Sequence, residues 1–92
     1  MTDDQLPASK LVTVRYWAAA RAAAGTTEET LDAATLAELR ETIAARHGAT
    51  LARLLERCSY LVDEQPAGRR DPAALALAPG AVIEVLPPFA GG

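Results

Sequence analysis

The chain has 92 residues, enough for one hydrophobic core and too few for a second. Half of the residues are hydrophobic, which excludes a disordered chain, and a formal charge of −3 of mixed sign excludes the basic stripe of a nucleic-acid surface. A lone cysteine closes no internal disulfide, the acidic opening MTDDQLPASK is the reverse of a signal peptide, and nothing reads as a membrane span, so a cytoplasmic protein is expected.

Residues 1–10 are expected to form a mobile arm. LVTVRYW (11–17) predicts the first strand, with Val12, Val14 and Tyr16 on one face and Thr13, Arg15 and Trp17 on the other. AAARAAAG (18–25) suits a short helical turn ended by Gly25. TTEETL (26–31) is polar and rich in Thr, which predicts an edge strand antiparallel to the first.

The clearest helix comes next. Thr35 is a candidate N-cap with Glu38 three residues on, Leu36, Leu39 and Ile43 repeat at helical spacing, and Gly48 gives the stop. Leu51, Leu54, Leu55 and Cys58 form a second short apolar stripe. YLVD (60–63) reads as a strand and EQPAGRRDP (64–72) as a turn-rich connection. A Pro-Gly turn at 79–80 then leads into a strand over 81–86, where Ile83 and Val85 alternate with Val82, Glu84 and Leu86.

This order predicts an α+β fold over residues 11–86, with one main helix covering one face of a sheet. If the last strand lies beside the first, the sheet is mixed and the crossover right-handed. A ubiquitin-like β-grasp fits the pattern, as do other small α+β folds.

The sequence finishes on PPFAGG, a six-residue tail over 87–92. Proline gives no amide hydrogen to a ladder, so Pro87 and Pro88 end the strand and turn the chain outward, stiff and extended. Six extended residues reach roughly 20 Å, enough to enter a neighbouring protein's cleft, and stiffness lowers the entropy lost on docking. Phe89 is read as a docking contact, and Ala90, Gly91 and Gly92 as the segment threaded through a narrow channel. Glycine has no side chain to obstruct passage and adopts angles closed to other residues. A terminal glycine carboxylate is unhindered but ionised, so a partner must activate it before a nucleophile can attack.

Three stretches carry a resemblance: VRYWAAARAAAG, the main helix, and LAPGAVIEVLPPFAGG. Over residues 11–92 the chain resembles the MoaD/ThiS family of sulfur carriers, and its Pro-Pro-x-x-Gly-Gly ending is most similar to the molybdopterin branch. VDEQ (62–65) stands where many members have a Val-Asn-Gly-like turn, an acidic residue common after Arg21 is missing, and the arm is extra.

The resemblance implies a chemistry. An E1-like adenylyltransferase uses ATP to adenylate Gly92, and a sulfur donor converts the adenylate to a thiocarboxylate. The tail then enters a large catalytic subunit of molybdopterin synthase, where sulfur passes to a pterin precursor. This chain itself binds no cofactor and is not catalytic alone. The resemblance also implies that Trp17 and Leu86, expected together on the outer sheet face near the tail root, pack against the large subunit, with Phe89 as a further contact. Competing readings are a carrier for thiamine thiazole or cysteine synthesis, a ubiquitin-like binding module, and a protein modifier joined through Gly92 to a lysine.

The remaining polar residues point away from chemistry of their own. Arg15 and Glu84 are expected to pair across adjacent strands. Cys58 lies on an apolar stripe and reads as a core residue rather than a reactive thiol. His47, beside Gly48, reads as a helix-terminal residue favoured by the dipole. No cluster has metal-site spacing and no Gly-rich loop suits a phosphate. Arg69 and Arg70 read as solvated loop charges, with rim contacts for an acidic partner as the alternative.

Overall fold

The computed structural model describes residues 11–88. The expected arm at 1–10 and the tail residues Phe89, Ala90, Gly91 and Gly92 lie outside the described residues.

Five strands and three helices follow one another as β1 (Leu11–Tyr16), α1 (Ala18–Ala24), β2 (Glu28–Asp32), α2 (Leu36–His47), α3 (Ala49–Leu55), β3 (Ser59–Val62), β4 (Gln65–Pro66) and β5 (Val82–Leu86). The strands form one sheet in the order β2-β1-β5-β3-β4. Strands β1 and β5 run parallel, with Tyr16 opposite Val85, while β1–β2, β3–β5 and β3–β4 are antiparallel. The sheet is therefore mixed, as expected from placing the last strand beside the first.

Alternation along the strands decides which face is buried. Val12, Val14, Tyr16, Ile83, Val85 and Tyr60 all point into the core, where Leu36, Leu39 and Ile43 of α2 and Leu51 and Leu55 of α3 meet them. The main helix α2 thus covers the inner face, and the shorter α1, through buried Ala20, and α3 complete that layer. The stripe at 51–58 is helical as far as Leu55.

Local signals explain the helix ends. Thr35 Oγ1 accepts a hydrogen bond from the Glu38 amide at 3.1 Å, and the Glu38 carboxylate accepts from the Ala34 amide at 2.9 Å. This is the capping-box pair, with Glu38 reaching one residue further back than the usual partner. Gly25 closes α1 in the left-handed region at φ 76°, with its amide donating to the Arg21 carbonyl.

Several boundaries differ from expectation. β1 stops at Tyr16 because Trp17 is the N-cap of α1, and β2 begins two residues later than expected, at Glu28. β3 covers 59–62, and β5 starts at Val82. The connection over 64–72 holds the short strand β4 and leads into a 3-10 turn at Pro72–Ala74. Strand β4 exists because Val62 pairs with Gln65 across a two-residue loop.

That loop is Asp63-Glu64, with φ 49° and 70°. Positive φ at both central residues is the type I′ turn that follows strand twist and ordinarily takes Asn-Gly. Asp63 is compensated: its amide donates to the Val82 carbonyl at 2.8 Å, and its Oδ1 accepts from the Val82 amide at 2.9 Å. Glu64 has no such compensation among the described residues. Glu64→Gly is accordingly expected to stabilise the fold by about 0.5–1 kcal/mol, the left-handed strain outweighing the extra freedom of glycine in the unfolded chain. For a domain of this size that raises the melting temperature by roughly 2–8 °C. A thermal melt that does not rise would show the Glu64 backbone to be unstrained.

Candidate functional site

Pairing β1 directly with β5 brings the end of one strand to the end of the other, and the tail leaves from this point. The Trp17 amide donates to the Val85 carbonyl at 3.3 Å, so the chain turns into α1 beside the last residues of β5. Ala18, at φ 50°, takes the left-handed conformation at this corner. Trp17 is left 45% exposed, and Leu11 at 40% is the other large exposed hydrophobic among the described residues. Leu86, pointing to the same outer face as Val82 and Glu84, is half-buried rather than exposed.

The tail root is firmer than its sequence suggests. Leu86 is still in register with Ser59, and Pro87 is buried; Pro88 is the first exposed residue. The proline pair does end the strand, but of the two only the second is exposed.

The expected Arg15–Glu84 pair does not form, although the two residues are in register. Arg15 turns to the other neighbouring strand, where its Nε lies 3.4 Å from Glu28 Oε1. Glu84 instead accepts from Trp17 Nε1 at 3.1 Å. The indole is thereby held by its polar edge while its apolar face stays open to solvent. This orienting contact between residues 67 apart in sequence could be found only from the parallel β1–β5 register.

A second polar cluster was not foreseen. Glu29 Oε2 accepts from the Tyr16 hydroxyl at 2.5 Å and lies 2.5 Å from His47 Nε2, while Glu29 Oε1 is 3.1 Å from Arg46 Nε. The Tyr16 and His47 rings meet edge to face, 5.9 Å apart. His47 is indeed the last residue of α2, but its ring is engaged by β2 rather than placed by the dipole alone. Burial alone would raise the Glu29 carboxyl; hydrogen bonds from Tyr16 and His47 and the charges of His47 and Arg46 outweigh it and hold it below its usual value. Burial first, and then Glu29, push the Tyr16 hydroxyl far above its ordinary range. The cluster clamps β2 and the end of α2 onto Tyr16.

A depressed carboxyl contributes stability above its unfolded pKa, near 4.5, and that stability is lost as the pH falls through the lower folded value. Wild type is therefore expected to exceed Glu29→Gln in urea midpoint at neutral pH, and the gap is expected to close below about pH 4.5. A gap independent of pH would remove the charge from the explanation.

Cys58 packs partly buried against the core, as expected, and its Sγ–H donates to the Leu54 carbonyl at 3.2 Å. Burial raises its thiol, with Arg40 opposing, which is the reverse of what a nucleophile requires. Arg69 and Arg70 are both exposed loop residues, as expected; Arg70 in addition donates from Nε to Ala67 O at 3.1 Å and from a terminal nitrogen to Pro66 O at 3.0 Å, bracing the loop. Among the described residues no group of three His, Cys, Asp or Glu side chains could hold a metal ion, and no helix is long and apolar enough to cross a membrane.

Comparison with known proteins agrees with this geometry. The family model described as the ThiS family matches residues 14–92. No curated protein sequence matches significantly. Among solved structures, small archaeal modifier protein 1 (SAMP1) from Methanosarcina acetivorans superposes with a TM-score of 0.78 at 21% identity, covering 91% of this chain and 98% of that one. A putative molybdopterin converting factor subunit 1 from Pyrococcus furiosus gives 0.69 at 25% identity, covering 88% and 100%. The complex of subunits 1 and 2 of molybdopterin-converting factor from Helicobacter pylori gives 0.62 at 26%, covering 89% and 99%.

Proposed function

The chain belongs to the ThiS family, with the fold of a ubiquitin-like sulfur carrier, and from that premise we propose that it carries sulfur on Gly92 for molybdopterin synthesis. The observation that carries the reading is the parallel β1–β5 pair, which sets the root of a Pro-Pro-Phe-Ala-Gly-Gly tail beside an exposed, oriented Trp17. Such a tail presents a carboxylate beyond the domain surface while the neighbouring face supplies a docking anchor.

In this reading an E1-like partner transfers AMP from ATP to the Gly92 carboxylate. Sulfur from a donor then displaces AMP and leaves a thiocarboxylate. Pro87 and Pro88 stiffen the tail, Phe89 seats it, and Ala90 and Gly91 pass through the partner's channel. Trp17 and Leu86 meet a large catalytic subunit in this reading; that a similar protein is found in a complex of subunits 1 and 2 supports pairing with a partner subunit. The partners supply the nucleotide site and the acid–base groups.

Intact-mass measurement after incubation with ATP, an activating enzyme and a sulfide source tests the reading. Replacement of one terminal oxygen by sulfur is expected, and an unchanged mass with an enzyme active on its own carrier would overturn it. A second reading, protein modification through Gly92, takes support from the likeness to SAMP1. It predicts heavier conjugates that survive reducing denaturation.

A further inference from the structure

The two edges of the sheet differ in what they offer another chain. Strand β4 is two residues long and one of them, Pro66, has no amide hydrogen, so that edge offers little to a further strand. Strand β2 forms the opposite edge, with five residues and neither proline nor glycine among them.

Hydrogen-bond direction shows which backbone groups of β2 are already engaged. The Tyr16 amide donates to the Thr27 carbonyl at 2.9 Å, which makes Tyr16–Thr27 a hydrogen-bonded pair. In the same antiparallel register, Val14–Glu29 and Val12–Leu31 are pairs of that kind. The alternate residue Thr13 turns its amide the other way, to the Ala81 carbonyl at 2.9 Å. By the same alternation the backbone of Glu28, Thr30 and Asp32 points away from β1, out of the sheet. Among the described residues only the Glu28 carbonyl finds a partner there, the Thr26 hydroxyl at 3.1 Å. Three amides and two carbonyls are left facing outward, and the three side chains are exposed on the outer face.

Charge selects the guest. A second copy paired antiparallel through these groups, centred on Thr30, would set Glu28 directly against Asp32 twice, which like charges oppose. On the inner side Glu29 is already engaged by Tyr16, His47 and Arg46. On the outer side Glu28 meets only Arg15, at 3.4 Å with both side chains roughly half exposed, and Asp32 is exposed. Attraction therefore acts on one face of an incoming strand, which calls for cations at alternate residues.

We propose that β2 accepts a basic, extended segment of a partner protein as a sixth strand, its lysines or arginines lying on the outer face against Glu28 and Asp32. Backbone bonds to Glu28, Thr30 and Asp32 supply the attachment, and the two carboxylates supply the preference. This edge lies two strands from β5, about 10 Å across the sheet, so its occupation is compatible with an engaged tail and does not depend on the chemistry at Gly92.

The full chain is titrated with a capped peptide of alternating lysine and threonine, and separately with one of alternating glutamate and threonine, while amide exchange is followed residue by residue by NMR. The lysine peptide is expected to slow exchange more than about fivefold at Glu28, Thr30 and Asp32, with little change at Glu29 and Leu31, which are already bonded. Thr30→Pro removes an outward amide that no ladder bond uses, so this variant is expected to melt like wild type and to bind the lysine peptide more than about tenfold more weakly. Where Thr30→Pro fails to fold, the pair Glu28→Lys and Asp32→Lys reads the same edge, and preference should invert to the glutamate peptide. Absence of binding, equal binding of the two peptides, protection confined to other amides, or a folded Thr30→Pro that binds like wild type overturns the proposal. Protection that rises with protein concentration in the absence of peptide would give the edge to a second copy and overturn it as well.

Discussion

A chain lacking Gly91 and Gly92 is expected to melt at the temperature of the full chain and to lose adenylation by more than about a hundredfold. The two effects separate because the core is complete by Val85 and the ladder by Leu86, so truncation removes no buried side chain of the described fold. Two residues shorten the reach by roughly 7 Å, whereas a misplacement near 1 Å already costs about a hundredfold in a positioned reaction. In the proposed reading the new terminus would also put the methyl group of Ala90 where a partner's channel is to receive glycine. Pyrophosphate release on titration with the activating enzyme reads the loss, and calorimetric melting reads the fold. Retained adenylation would place the reactive group elsewhere. Loss accompanied by a lower melting temperature would instead make the last two residues part of the folded body.

How much of this was legible in the sequence depended on the range of the interaction. Val12, Val14 and Tyr16 declared their face by alternation, and Thr35, Glu38 and Gly48 declared the ends of α2 because capping acts over three or four residues. The two-residue strand β4 escaped notice because its turn uses Asp63-Glu64, which lacks the glycine that normally announces positive φ. Charged contacts were harder still. Register placed Arg15 opposite Glu84, but Arg15 had an acidic neighbour on either side, and the indole N–H of Trp17 took Glu84. The Tyr16–Glu29–His47 cluster joins two strands and a helix end, so no spacing rule along the chain reveals it. Pro87 illustrates a different limit: a residue that ends a ladder can still be buried, since losing a hydrogen bond and leaving the surface are separate events.

Trp17→Ala is expected to weaken binding to the large subunit roughly 30-fold, equivalent to about 2 kcal/mol, while Trp17→Phe should cost less than about fivefold. Trp17 is the largest exposed apolar side chain of the outer face and stands next to the tail root, where desolvation by a docking partner would be most complete. The bond from its Nε1 to Glu84 holds the ring in one orientation, which limits the rotamer entropy lost on docking. Phenylalanine keeps most of the apolar area and loses only that orienting contact. The stability of the free protein should change little, because the bond replaced is exposed and water can take its place. Titration calorimetry with the large subunit gives the two affinities. Equal affinity for wild type and Trp17→Ala would remove this face from the interface, whereas an equal loss in both variants would make the Glu84 contact, rather than the apolar ring, the determinant of docking.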